Sequence, residues 1–138
     1  MRITLPDDTL VIHAGEFGQQ VIELLDTSPA RLIEADGPVY TASIPYATTI
    51  ISVWSGHRPE DRDRIDSVAF VGVELHPTSL ECGPVVVPGR TACYRCCRLR
   101  QEQHSGGSLR LTRSSAELPA GFSGGEVAIA AGFIGKAL

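Results

Sequence analysis

The sequence predicts an α/β fold in one domain, a mostly parallel sheet flanked by helices. Three observations carry this. The stretch "TLVIHAGEFGQQVIELLDTSPARLIEAD" runs from an apolar strand through a glycine turn into helically spaced apolar residues and a second strand. "TTIISVWSG" is β-branched and apolar, as a strand buried on both faces must be. Finally, 138 residues with 43% hydrophobic and 20% charged side chains suffice for one core and not for two.

Leu10 to Ile12 form the first strand, and Gly15 and Gly18 bracket a tight turn. Phe17, Val21, Ile22, Leu24 and Leu25 recur at helical spacing, and Asp26-Thr27-Ser28-Pro29 stops the helix before "ARLIEAD", a second strand. "DGPVYTASIPYA" is a loop punctuated by Gly37, Pro38 and Pro45, and "TTIISVWSG" follows as the next strand. "HRPEDRDRIDSVAF" opens with Pro59 and early acids, as a helix start should, and Ile65, Val68 and Ala69 form its narrow apolar side. "VGVELHPTSLECGPVVVPG" contains one or two short strands broken at Pro77, Gly83-Pro84 and Pro88-Gly89. Residues 105–125, rich in Ser and Gly, read as a flexible loop or crossover. "GEVAIAAGFIGKAL" is a final apolar helix whose small residues allow close packing on a sheet. There is no internal repeat.

Composition excludes several function classes. No apolar run reaches the ~18 residues of a membrane span, and "MRITLPDDTL" is broken by Pro6 and two aspartates, unlike a secretory signal. A cytoplasmic, reducing location is the default, where a Cys-x-x-Cys more often binds metal or does chemistry than forms a disulfide. The net charge of −4 is uneven: residues 1–89 hold five of twelve basic and thirteen of sixteen acidic side chains. The acidic balance speaks against nucleic acid, while Arg90, Arg95, Arg98, Arg100, Arg110 and Arg113 form a local cluster suited to an acidic partner or to a solvated surface.

Two motifs bear on chemistry. "HAGEFG" stands where a dinucleotide fingerprint G-x-G-x-x-G would, with His13 replacing the first glycine and Glu16 adding negative charge. Glu34 and Asp36 lie where a ribose-binding acid belongs, about 20 residues on. Gly15, Gly18, Glu34 and Asp36 thus outline a nucleotide site, but the replaced glycine and added charge favour a structural turn. His13, His57, His76 and His104 have no partner fixed by spacing. "ACYRCCRLR" offers Cys93 and Cys96 as half of a zinc site, with Cys82, Cys97, His104 or a second chain as further ligands. A redox pair or idle thiols are the alternatives, and the neighbouring arginines lower thiolate pKa values in either active role.

"LECGPVVVPGRTACYRCCRLRQEQH" resembles the ThiF-like proteins of ribosomal peptide biosynthesis, partners of YcaO cyclodehydratases and relatives of the ubiquitin-activating family. Gly83, Pro84, Pro88, Gly89, Cys93, Cys96 and Arg100 carry the match, while "LVIHAGEFGQQVIELL" and "GEVAIAAGFIGKAL" are similar to the family's first turn and its late helix. The resemblance implies a Rossmann-like ThiF fold in a minimal or truncated version, a non-catalytic scaffold role, and polypeptide partners. Those partners would be a precursor (leader) peptide and a YcaO-type enzyme. Longer members carry a winged-helix leader-recognition element and a second Cys-x-x-Cys, with no counterpart here before Leu10 or after the crossover. "ADGPVYTASIP" lacks the arginine and asparagine of the adenylating relatives, so ATP is not expected.

Three functions follow. The first is a scaffold that binds peptide along a sheet edge or through Arg95, Arg98 and Arg100. The second is a minimal ATP-dependent adenylyltransferase using Gly15, Gly18 and Glu34 or Asp36. The third is a homodimer completing a zinc site from two Cys-x-x-Cys pairs.

Overall fold

Thr9–His13 is a strand in which every residue is buried, and the sheet is built around it. The computed structural model describes residues 2–35, 47–55, 68–77, 79–92, 96, 99, 100, 103 and 121–138. In chain order the elements are β1 (Ile3–Thr4), β2 (Thr9–His13), α1 (Gly15–Glu23), β3 (Leu25–Asp26), β4 (Arg31–Glu34), β5 (Thr49–Ser55), β6 (Ala69–His76), β7 (Ser79–Val86) and α2 (Gly124–Ala137). The main sheet has the order β4-β2-β5-β6-β7, and β1 pairs with β3 in a small sheet of its own. Neighbours β4, β2, β5 and β6 are parallel, and β7 returns antiparallel to β6. The chain is therefore a mixed α/β protein with a mostly parallel sheet.

Alternation along the central strands divides two cores. Val11, Ile51, Val53, Val71, Val73 and Leu75 face one way, against Phe17, Val21 and Ile22 of α1 and Val127, Ala130, Ala131 and Ile134 of α2. Leu10, Ile12, Ile50, Trp54, Phe70 and Val86 face the other way and are buried too. Both described helices thus lie on one face. The helical spacing of Val127, Ala130, Ala131 and Ile134 sets the buried face of this largely apolar helix, and each fully buried Val or Ile contributes about 1.5–3 kcal/mol. Ile129, on the opposite side of α2, is 60% exposed. Edge-to-face stacking of Phe17 on Phe122, centroids 5.5 Å apart, ties α1 to the approach of α2.

Local chemistry sets the boundaries. Asp26 Oδ1 accepts hydrogen bonds from Ser28 N at 3.2 Å and Ser28 Oγ at 2.7 Å, which turns the chain after β3. Asp8 joins the starts of β4 and β5: its carboxylate accepts from Arg31 at 3.0 Å and from Thr48 N at 3.1 Å. A capping box opens α2, with Ser123 Oγ accepting from Glu126 N and Glu126 Oε1 accepting from Ser123 N.

Several expectations change. The first helix ends at Glu23, so Leu24 is its cap and Leu25 belongs to β3, buried by pairing with Ile3. Ala69 lies in β6, not on a helix, because it pairs with Thr49; the helix expected before it lies outside the described residues. β6 and β7 are each eight residues, and Gly83-Pro84 does not break β7. Among the described strands β7 lies at the sheet's edge, and Gly83 and Pro84 fall at the register shift between Val71 and Val73, where the ladder is already interrupted. Gly124 and Gly125 are helical, and 105–120 of the expected loop lies outside the described residues. No helix among the described residues is long and apolar enough to cross a membrane.

Ser123→Ala removes the cap and should lower unfolding free energy by about 1 kcal/mol in urea titration. Gly15 has φ of 77°, and a Cβ there would collide with Ser55 Oγ. Gly15→Ala should therefore cost roughly 1–3 kcal/mol, partly recovered by adding Ser55→Ala, which removes the collision but not the backbone strain.

Candidate functional site

In open α/β sheets ligands bind beyond the carboxyl ends of the strands, where the strand order reverses. Here the first strand of the sheet, β2, lies between β4 and β5, and its last residue, His13, pairs with Glu34 and Val53. The carboxyl ends of β2, β4, β5 and β6 bring His13, Glu34, Ser55 and His76 to one edge of the sheet.

At the reversal, both predicted glycines face the sheet. A Cβ on Gly18 would stand 3.1 Å from the Val53 carbonyl and 3.3 Å from His13 Cβ, tight contacts that would require the neighbouring backbone to give way. Gly15 turns over Ser55, whose hydroxyl donates to the Ala14 carbonyl at 3.5 Å. These glycines serve helix–strand packing. Ala14 offers no side-chain cap to α1, and Glu16 places a carboxylate in its first turn. His13 is 4% exposed, and among the described residues its Nδ1 has no hydrogen-bond partner. Burial holds this imidazole below its ordinary 6.5, against the opposing pull of Glu34. Asp36, the other expected acid, lies outside the described residues.

The second cluster is on the β6–β7 hairpin. Glu74 and His76 are two apart on β6 and so share a face, and Glu81 pairs directly with Glu74 across the ladder. His76 Nε2 lies 3.2 Å from Glu74 Oε2 and 3.6 Å from Glu81 Oε2, with side-chain exposures of 12%, 11% and 19%. The Glu74 carboxylate first, then that of Glu81, raise His76 to about 9. These three are the group among the described residues with the makings of a metal site. In the sequence His76 has no partner fixed by spacing. The available signal was a Glu-x-His on a strand, with a second Glu placed across the Pro77 turn.

The predicted cysteine and arginine sites are only partly described. Cys96 and Arg100 are exposed residues in helical conformation, while Cys93, Cys97, Arg95 and Arg98 lie outside the described residues. Cys82 sits on β7, where it pairs with Val73 and so faces away from Glu81. Burial, then Glu81, push its thiol up, which disfavours the thiolate that zinc requires.

No protein-family model and no curated protein matches this chain. Among solved structures it is similar to a heterocyclase in complex with substrate and cofactor, with 12% identity and a TM-score of 0.48. The match covers 94% of this chain and 18% of that one.

The two histidines give opposite pH signatures. His13, lowered, contributes stability fully present above 6.5 and lost as pH falls below it; His76, raised, contributes stability present below 6.5 and lost as pH rises through about 9. Urea unfolding from about pH 7.5 down to about pH 5 should show an acid-side loss that His13→Gln flattens. An unchanged slope would remove His13 from the account.

Proposed function

We propose that this chain is a non-catalytic scaffold of ribosomal peptide modification, on a Rossmann-like ThiF-type fold, that helps a YcaO-type cyclodehydratase engage its precursor peptide. The observation that carries this reading is β4. It is an outer strand of the main sheet, without proline, and Arg31, Leu32 and Glu34 are exposed, whereas β2 and β5 are almost wholly buried. An extended leader peptide adds to such an edge through backbone hydrogen bonds, with alternate side chains supplying selectivity. The arginines after Cys96, namely Arg98 and Arg100, together with Arg95, are suited to acidic residues of the leader or of the partner enzyme. The resemblance of residues 80–104 to ThiF-like partner proteins supports the same assignment.

Adenylation is the weaker reading, because Gly15 and Gly18 are committed to packing and Glu16 adds negative charge where phosphates would sit. Affinity capture from the native host, with calorimetric titration of ATP and magnesium, tests the choice. Recovery of a YcaO-type enzyme or its precursor peptide without ATP heat supports the scaffold; ATP binding without either partner overturns it. With the captured precursor as probe, Leu32→Lys and the double change Arg98→Glu and Arg100→Glu should each weaken binding. The arginine reversal should cost tenfold or more, since charge-assisted contacts contribute roughly 1.5–3 kcal/mol each, and wild-type binding should fall with salt.

A further inference from the structure

The carboxyl end of the β6–β7 hairpin holds an arrangement that peptide binding leaves unused. Glu74 and Glu81 are directly opposed across an antiparallel pair, a placement that like charges make unfavourable. Both are mostly shielded from water, so the repulsion is poorly screened. Among the described residues the buried Nε2 of His76 has no partner that meets hydrogen-bond geometry, although carboxylate oxygens stand 3.2 and 3.6 Å away.

Metal–ligand bonds of about 2.0–2.1 Å at tetrahedral angles separate neighbouring donor atoms by about 3.4 Å, between the two distances found here. All three donor atoms lie within 4.8 Å of one another. One imidazole and two carboxylates form a borderline donor set suited to zinc and its neighbours, and unlike the all-oxygen shells of magnesium or calcium.

We infer that Glu74, His76 and Glu81 form a binding site for a zinc-type divalent cation, with a coordination position left for water or a group from a bound polypeptide. Binding exchanges the Nε2 proton, released to solvent, for a metal–nitrogen bond. The inference uses neither Cys93 nor Cys96 and does not rest on the proposed function.

The test uses the full chain, stripped with chelator and carrying Cys93→Ser, Cys96→Ser and Cys97→Ser so that those thiolates cannot contribute. Titrated with cobalt(II) and then zinc chloride, it should bind one equivalent and show the visible bands of low-symmetry cobalt without strong thiolate charge-transfer absorption. His76→Gln or Glu81→Gln, added to that chain with its circular dichroism retained, should weaken binding at least tenfold. Nitrogen NMR of the wild-type chain supplies a measurement that needs no variant: zinc should convert His76 Nε2 from a protonated to a metal-bound signal. Failure of the folded triple-serine chain to bind either ion, retention of full affinity without His76, or an unchanged imidazolium signal at saturating zinc would each overturn the assignment.

Discussion

The close approach of α1 to strands β2 and β5 is the constraint on which the remaining structure depends. Gly18 lets the helix settle against the Val53 carbonyl and His13, and Gly15 lets the chain turn above Ser55. Fixed at that distance, Phe17, Val21 and Ile22 reach the apolar face made by Val11, Ile51 and Val53. α2 then packs beside α1, and Gly135 of α2 comes close to Ile3 of β1. The same approach places Ser55 Oγ beside Gly15, so the turn and the end of β5 are packed together.

The polar groups of the sheet gather where the strands leave the core. β5 and β6 are apolar on both faces for most of their length, as parallel strands covered on both sides must be. Charged and hydrogen-bonding residues appear at His13, Glu34, Ser55, Glu74 and His76, near the carboxyl ends. Two histidines at this edge meet opposite fates. His13 is kept neutral by burial, whereas His76 is drawn toward the proton by two carboxylates.

The two edges of the main sheet differ in kind. β7 carries Gly83 at φ 131°, Pro84 and a register irregularity against β6, features that discourage another strand from pairing. β4 has none of these and exposes Leu32 at 46%. The peptide-binding assignment therefore falls on β4.

Local sequence pattern determined β2, α1, β4, β5 and α2, because short apolar or β-branched runs between turn residues mark the strands, helical spacing of apolar residues marks α1, and a small-residue apolar run marks α2. It also placed Gly15 and Gly18 at a turn and favoured a structural role for them. The small β1–β3 sheet escaped it, since two-residue strands such as Ile3–Thr4 carry no period and exist only because Leu25 comes alongside. The length of β7 escaped it too, because a proline breaks an interior strand but not an edge, and edge position is a property of the sheet. Glu74, His76 and Glu81 looked like three unrelated polar residues in the sequence. Only the antiparallel register, which sets residue 74 against 81, turns them into one site.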